Sequence, residues 1–163
     1  GDRVIRWIAP LLLLAAPAVA EISHSEIART IRVCLDNVDR PEDCIGRYIR
    51  QCTSADGNDT TIAMVDCISA EVTAWDVLLN ETYQETLVTL EDRDATGDVL
   101  TEETRRVPSL RAAQRAWIAY RDAECDLRYS LYGQGSLRTI VAANCLLTFT
   151  AERTIALRDM QGF

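Results

Sequence analysis

Apolar residues recur along this chain at helical spacing. Ile27, Ile31, Cys34 and Leu35 form one stripe, and Ser25 stands where it can cap the helix they predict. Pro41 suits the first turn of a second helix over "PEDCIGRYIRQC", residues 41–52. "TSADGNDT" at 53–60 is turn-rich. A long third helix, from about Thr60 to about Leu90, carries Met64, Ile68, Val72, Trp75, Leu79, Tyr83 and Leu90 on one face. "EDRDATGD" at 91–98 breaks it. A fourth helix runs from about Glu102 or later to about Arg128, with Pro108 in its first turns. After "YSLYGQGS" at 129–136, a fifth carries Ile140, Val141, Cys145, Phe149 and Leu157, with Ser136 as its cap. No stretch alternates β-branched and polar residues, so the pattern predicts an all-α fold, an antiparallel bundle of four to five helices.

One face of the fourth helix is unusual. Gln114, Trp117, Arg121 and Cys125 share a stripe, so two polar residues point the same way as the tryptophan. A hairpin turning near residues 96 and 97 sets Glu71 near Arg121, Asp76 near Arg115 and Asn80 near Gln114. Arg153, four residues beyond Phe149, approaches the same layer. Arginine fits this setting because its planar fork pairs carboxylates and stacks on rings. The set reads first as a structural polar network that fixes helix register, with Glu71 paired to Arg121. Loss of one partner from such a pair costs about 3–5 kcal/mol when burial is deep. The competing reading is a ligand site. A glycosidase is disfavoured, because arginines on both carboxylates would keep them ionised and remove the general acid.

The chain's ends and cysteines bear on compartment. Arg3 and Arg6 precede the apolar run "WIAPLLLLAAPAVA", and Ala18-Val19-Ala20 fits a leader-cleavage pattern, so residues 1–20 are expected to be removed. The run is short for a membrane span, and no cysteine follows the cut to take a lipid. Removal leaves 15 basic and 24 acidic side chains, a net charge of −9. That charge disfavours nucleic acid and anionic membrane as partners and suits a basic protein. Cys34, Cys44, Cys52, Cys67, Cys125 and Cys145, with an export signal, imply disulfides. Six cysteines admit fifteen pairings. Cys44 and Cys52 on one helix would lie about 12 Å apart, too far to bond. A turn near Asp39 brings Cys34 beside Cys44, the 53–59 loop brings Cys52 near Cys67, and Cys125 and Cys145 join the last two helices. No CxxC pair, glycine-rich phosphate loop or metal-ligand cluster occurs. The single histidine, His24, falls in what should be a mobile terminus. No catalytic residue, cofactor or metal is expected, and the protein is not expected to be an enzyme.

The segments "CISAEVTAWDVLLNETYQETLVTL" (67–90), "LRAAQRAWIAYRDAEC" (110–125) and "GSLRTIVAANCLLTFTAERTIAL" (135–157) together resemble the LprI-like domain family. The resemblance rests on Cys67, Glu71, Asp76, Leu79, Asn80, Tyr83, Gln114, Arg115, Trp117, Arg121, Cys125, Cys145 and Arg153. It implies a small, exported, helical, disulfide-bonded protein at residues 59–163, preceded by an added N-terminal helical hairpin at 21–58. It also implies lysozyme inhibition, the activity for which the family is labelled. An acidic inhibitor would be steered toward a basic lysozyme. The contact is expected at the loop 129–138, through Tyr129, Tyr132, Ser136 and Arg138. The leading expectation is a periplasmic or secreted binding or inhibitor protein. The alternative is a structural or envelope-maintenance protein of the periplasm that binds no lysozyme.

Overall fold

The computed structural model describes residues 22–55, 57–97, 101 and 105–162. The predicted leader at 1–20 lies outside them. The described residues form five α-helices, α1 (His24–Leu35), α2 (Arg47–Thr53), α3 (Thr61–Ala95), α4 (Arg106–Leu131) and α5 (Leu137–Gln161), and a 3-10 turn at Pro41–Cys44. The all-α expectation holds. Helix ends show where local chemistry differs from the sequence reading. Ser23, not Ser25, caps α1. Its hydroxyl accepts from the Glu26 amide at 3.3 Å, and the Glu26 carboxylate accepts from the Ser23 amide at 2.9 Å. That reciprocal box satisfies two donors at once, which Ser25 cannot do. The backbone and side-chain bonds from Ser23 hold the Glu26 carboxyl below its usual range. His24 is the first residue of α1 and is exposed.

The second predicted helix is two pieces. After the 3-10 turn the chain passes through Gly46 at φ 77°, a left-handed conformation that glycine adopts without a Cβ penalty, and only then winds into α2. Helix α3 starts as expected, with the Thr60 hydroxyl accepting from the Ala63 amide at 3.1 Å. It continues past Leu90 to Ala95 and ends where Gly97 takes φ 111°. The extra turn places Asp94 under the start of α4. There its carboxylate accepts from the amides of Arg106 (3.0 Å) and Val107 (3.1 Å) and from the Arg106 guanidinium (3.2 Å). Burial pushes the Asp94 carboxyl up, but these donors outweigh it and hold the group below its usual range. Pro108 sits in the first turn of α4, where its missing N–H costs nothing.

Helix α5 packs along α3, and α4 packs chiefly on α5 and only lightly on α3; α1 and α2 pack on α3. Helix α5, packed between α3 and α4, is long and apolar enough to cross a membrane by length and composition alone, a test that a core helix also meets. Two apolar cores result. The larger gathers Ile27, Ile31, Leu35, Ile68, Trp75, Leu78, Leu147 and Ile155. The smaller, toward the far ends of α3 and α5, gathers Leu79, Leu87, Leu110 and Leu157 with Tyr83 and Trp117 at its edge. Three disulfides close the structure as the spacing anticipated: Cys34–Cys44, Cys52–Cys67 and Cys125–Cys145, with Cα separations of 5.9, 5.8 and 5.6 Å. Bridges of this kind stabilise by about 2–4 kcal/mol each.

Candidate functional site

The polar residues singled out in the sequence separate into two centres. The first is Glu71, 0% exposed in the middle of the larger core. Its carboxylate accepts from the Gly46 amide (2.7 Å), the Ile49 amide (3.0 Å) and the Trp75 indole N–H (3.2 Å). Gly46 is the cap position of α2 and offers no side chain of its own. Glu71 therefore caps α2 from a neighbouring helix, setting negative charge against the helix N-terminus. Asp94 serves α4 in the same way, so α3 supplies the caps of two helices.

The expected Glu71–Arg121 pair is not formed. Arg121 instead bonds its chain neighbour Asp122, Nε to Oδ1 at 2.9 Å, and lies 5.0 Å over the Trp117 ring. Asp76 and Asn80 bond each other, with the Asn80 amide donating to the Asp76 carboxylate at 3.2 Å, on an exposed face. Arg115 is exposed. These errors have one cause. The register assumed α4 lying flat against α3, but α4 leans on α5, and the 96–105 connection is long enough to allow it.

The second centre is the inner face of α4. Gln114, Trp117 and Arg121 are half-buried and Cys125 is buried, while their neighbours along the helix are mostly exposed. Gln114 accepts from Arg153 Nε at 2.9 Å, and Arg153 lies 5.9 Å from the Trp117 ring centre. Trp117 is thus held between Arg121 and Arg153. Two arginines on one indole account for the polar stripe: each keeps a ring contact worth about 0.5–2 kcal/mol. Arg153 Nη2 is sealed from solvent and has no hydrogen-bond partner among the described residues. Burial pushes the Arg153 guanidinium below its usual range.

The predicted contact loop at 129–138 is shorter than expected. Helix α4 runs on through Tyr129 to Leu131 and α5 starts at Leu137, leaving Tyr132–Ser136 as the turn, with Gly133 at φ 59°. Ser136 occupies the cap position of α5 in helical conformation and makes no side-chain capping bond; its carbonyl accepts from the Thr139 hydroxyl at 2.7 Å. Arg138 folds back, donating to the Gly133 carbonyl at 3.0 Å and covering the Tyr129 ring at 4.8 Å. What projects is apolar: Leu131 is 71% exposed and Tyr132 47%, beside exposed Leu127 and Leu137. The Cys125–Cys145 bridge ties the two helices just below this tip.

Several residues that matter were not foreseen. The Gly46 and Ile49 amides are main-chain groups and carry no side-chain signature. Asp94 stands twelve residues before the start of α4, at the end of α3, and has no local capping signature either. Thr86, fully buried, donates to the Thr82 carbonyl at 2.7 Å and accepts from Gln161 Nε2 at 3.2 Å, tying the end of α5 to α3.

A family model described as lysozyme inhibitor LprI matches residues 52–157. The chain is 32% identical over 95 residues to uncharacterized protein R02472 of Rhizobium meliloti strain 1021, an overlap of 58% of this chain and 68% of that one. It is 33% identical over 81 residues to uncharacterized protein YecT of Escherichia coli K12, spanning 48% of this chain and about half, 49%, of that protein. No solved structure matches.

Proposed function

The chain belongs to the LprI family, and from that premise we propose that it is a non-enzymatic, extracytoplasmic inhibitor of lysozyme that makes its contact through the α4–α5 tip. The observation that carries the contact assignment is the apolar tip itself. Leu127, Leu131, Tyr132 and Leu137 stand exposed together on a hairpin whose two helices are joined by a disulfide. Exposed apolar groups gathered in one patch are what a protein partner covers. A stapled hairpin loses little conformational freedom on docking. Tyr129, Tyr132, Ser136 and Arg138 all belong to this tip. Since Arg138 is spent on Gly133 and Tyr129, the aromatic and aliphatic groups make the contact and the arginine shapes the turn. An acidic body speeds encounter with a basic enzyme, and that steering weakens with salt.

The family and the three disulfides support an extracytoplasmic setting. A leader ending at Ala20 would deliver the chain to the periplasm or medium. In this reading residues 21–58 are an N-terminal addition to the family domain at 59–163, and the network of Glu71, Asp76, Asn80, Gln114, Arg115, Arg121 and Arg153 serves the fold rather than the contact. The test is lysozyme activity against cell-wall substrate with the disulfide-intact protein in micromolar excess. Inhibition that Tyr132→Ala and Leu131→Ser both weaken supports the tip. Absence of inhibition rejects lysozyme as target and favours an envelope-maintenance role. Inhibition that survives both changes rejects the tip alone.

A further inference from the structure

The outer face of α4 is left bare by the rest of the bundle. The inner stripe of this helix, Gln114, Trp117, Arg121 and Cys125, turns toward α5, through the Gln114–Arg153 bond and the Cys125–Cys145 bridge. At about 3.6 residues per turn the opposite side carries Ala112, Ala116, Ala119 and Ala123, all exposed, with Leu127 beside them at 52% exposure. A solvated helix face ordinarily carries its charges across its whole width. Here they stand along one flank only, and they are ordered by sign: Arg111 and Arg115 toward the N-terminus, Asp122 and Asp126 toward the C-terminus. The fold makes little use of them. Arg115 and Asp126 have no bonding partner among the described residues. Arg111 reaches Glu91 only at 3.9 Å, between two exposed side chains, and Asp122 holds its chain neighbour Arg121.

We propose that this face binds a second copy of the chain, α4 lying antiparallel against its counterpart about a two-fold axis between Ile118 and Ala119. In that register Arg115 faces the partner's Asp122 and Arg111 faces the partner's Asp126, and symmetry makes each pair twice. A parallel pairing would set arginine beside arginine and aspartate beside aspartate, so the order of charges selects the antiparallel one. The small side chains at the centre let the two helix axes approach to about 8 Å, the close end of helix packing. The flank therefore serves as its own complement, which argues for a copy of this chain over an unrelated protein. An interface of one helix pair stands near the lower bound for specific contacts, about 1,000 Å², and the net charge of −8 on each copy opposes association, so the dimer is reversible. Leu131 and Tyr132 stay free at opposite ends of the pair, and the proposal does not rest on lysozyme inhibition.

The experiment is sedimentation equilibrium of the full disulfide-bonded protein. A monomer–dimer equilibrium is expected, with a dissociation constant on the order of 100 μM, followed up to about 1 mM. Arg115→Glu and Asp122→Arg should each weaken the dimer at least about tenfold, since two attractive pairs become repulsive in either homodimer. An equimolar mixture of the two variants should recover the association, because Glu faces Arg and Arg faces Asp in the mixed dimer. Only direct apposition of the two positions predicts that recovery; a change in the fold of either variant does not. Ala119→Arg, beside the two-fold axis, should abolish the dimer and leave the urea midpoint of the monomer unchanged, since Ala119 is exposed. The proposal is overturned if the wild type stays monomeric at about 1 mM, if the mixture associates no better than its separate components, if Ala119→Arg still forms the dimer, or if Leu131→Ser abolishes it, which would move the contact to the tip.

Discussion

Two charged side chains are drawn into the interior of this bundle and are met in opposite ways. Glu71, on α3, is wholly buried, and every donor it needs comes from the fold: two main-chain amides at the start of α2 and one indole. Arg153, on α5, has one neutral amide and one ring, with a buried N–H left over. The surroundings differ in the same direction. Around Glu71 lies the larger core, closed by two disulfides and by α1 and α2. Beyond Arg153, α4 contributes only Leu110 and Cys125 as fully buried residues and leaves much of its surface to solvent. A buried charge supplied entirely by main chain cannot be released to a ligand without dismantling a helix start. Arg153 is tied to no helix start, so its loss leaves every helix cap in place. The α1–α3 end therefore holds the fold, and the proposed contact falls on the α4–α5 side.

The largest expected effect comes from breaking the Glu71 centre. Glu71→Gln turns one acceptor oxygen into a donor that faces an N–H, leaving donors unpaired in the core. At about 1–3 kcal/mol for each buried group left unsatisfied, the loss should reach about 3 kcal/mol in urea unfolding. A loss under about 1 kcal/mol would show that the α2 cap is dispensable and that the two centres do not differ as described. Arg121→Ala should do much less. The side chain is only 18% exposed, but its charge partner Asp122 is 54% exposed and its main contact is the Trp117 ring. About 1 kcal/mol is expected by the same measurement, in place of the 3–5 kcal/mol that a buried Glu71 pair would cost. The smallest effect is in pH dependence. Asp94 has a depressed carboxyl pKa, so the stability it adds to α4 is present above the unfolded value, about 3.9, and is lost as pH falls through the lower folded value. Asp94→Asn should flatten the acid limb of the stability–pH curve; an unchanged limb would remove Asp94 from the account.

What the sequence made legible follows from how each feature is encoded. Helix periodicity is written in side chains, so five helical segments, the three bridges and the inward stripe of Gln114, Trp117, Arg121 and Cys125 could all be read before the fold was seen. The Ser23–Glu26 capping box was equally legible, being a serine followed three residues later by an acid, yet Ser25 competed for the same role. Gly46 is a break signal inside the helical pattern, yet residues 41–52 read as one continuous helix. The partners of Glu71 left no trace, because main-chain amides look alike at every position. Register across α3 and α4 was misread for a different reason: the connection at 96–105 permits α4 to swing onto α5, and nothing local decides between the two dockings. The apolar tip was sought in a longer loop, since exposed Leu127 and Leu131 continue the helical pattern of α4 and carry no mark of being outward.

The division of labour between the two ends is tested most directly by amide hydrogen exchange on the disulfide-intact protein, alone and with saturating lysozyme. Added protection should be concentrated in residues 127–138, with exchange in α1, α2 and the first half of α3 unchanged. Protection centred on α1 and α2, or no change anywhere in the chain, would contradict the account.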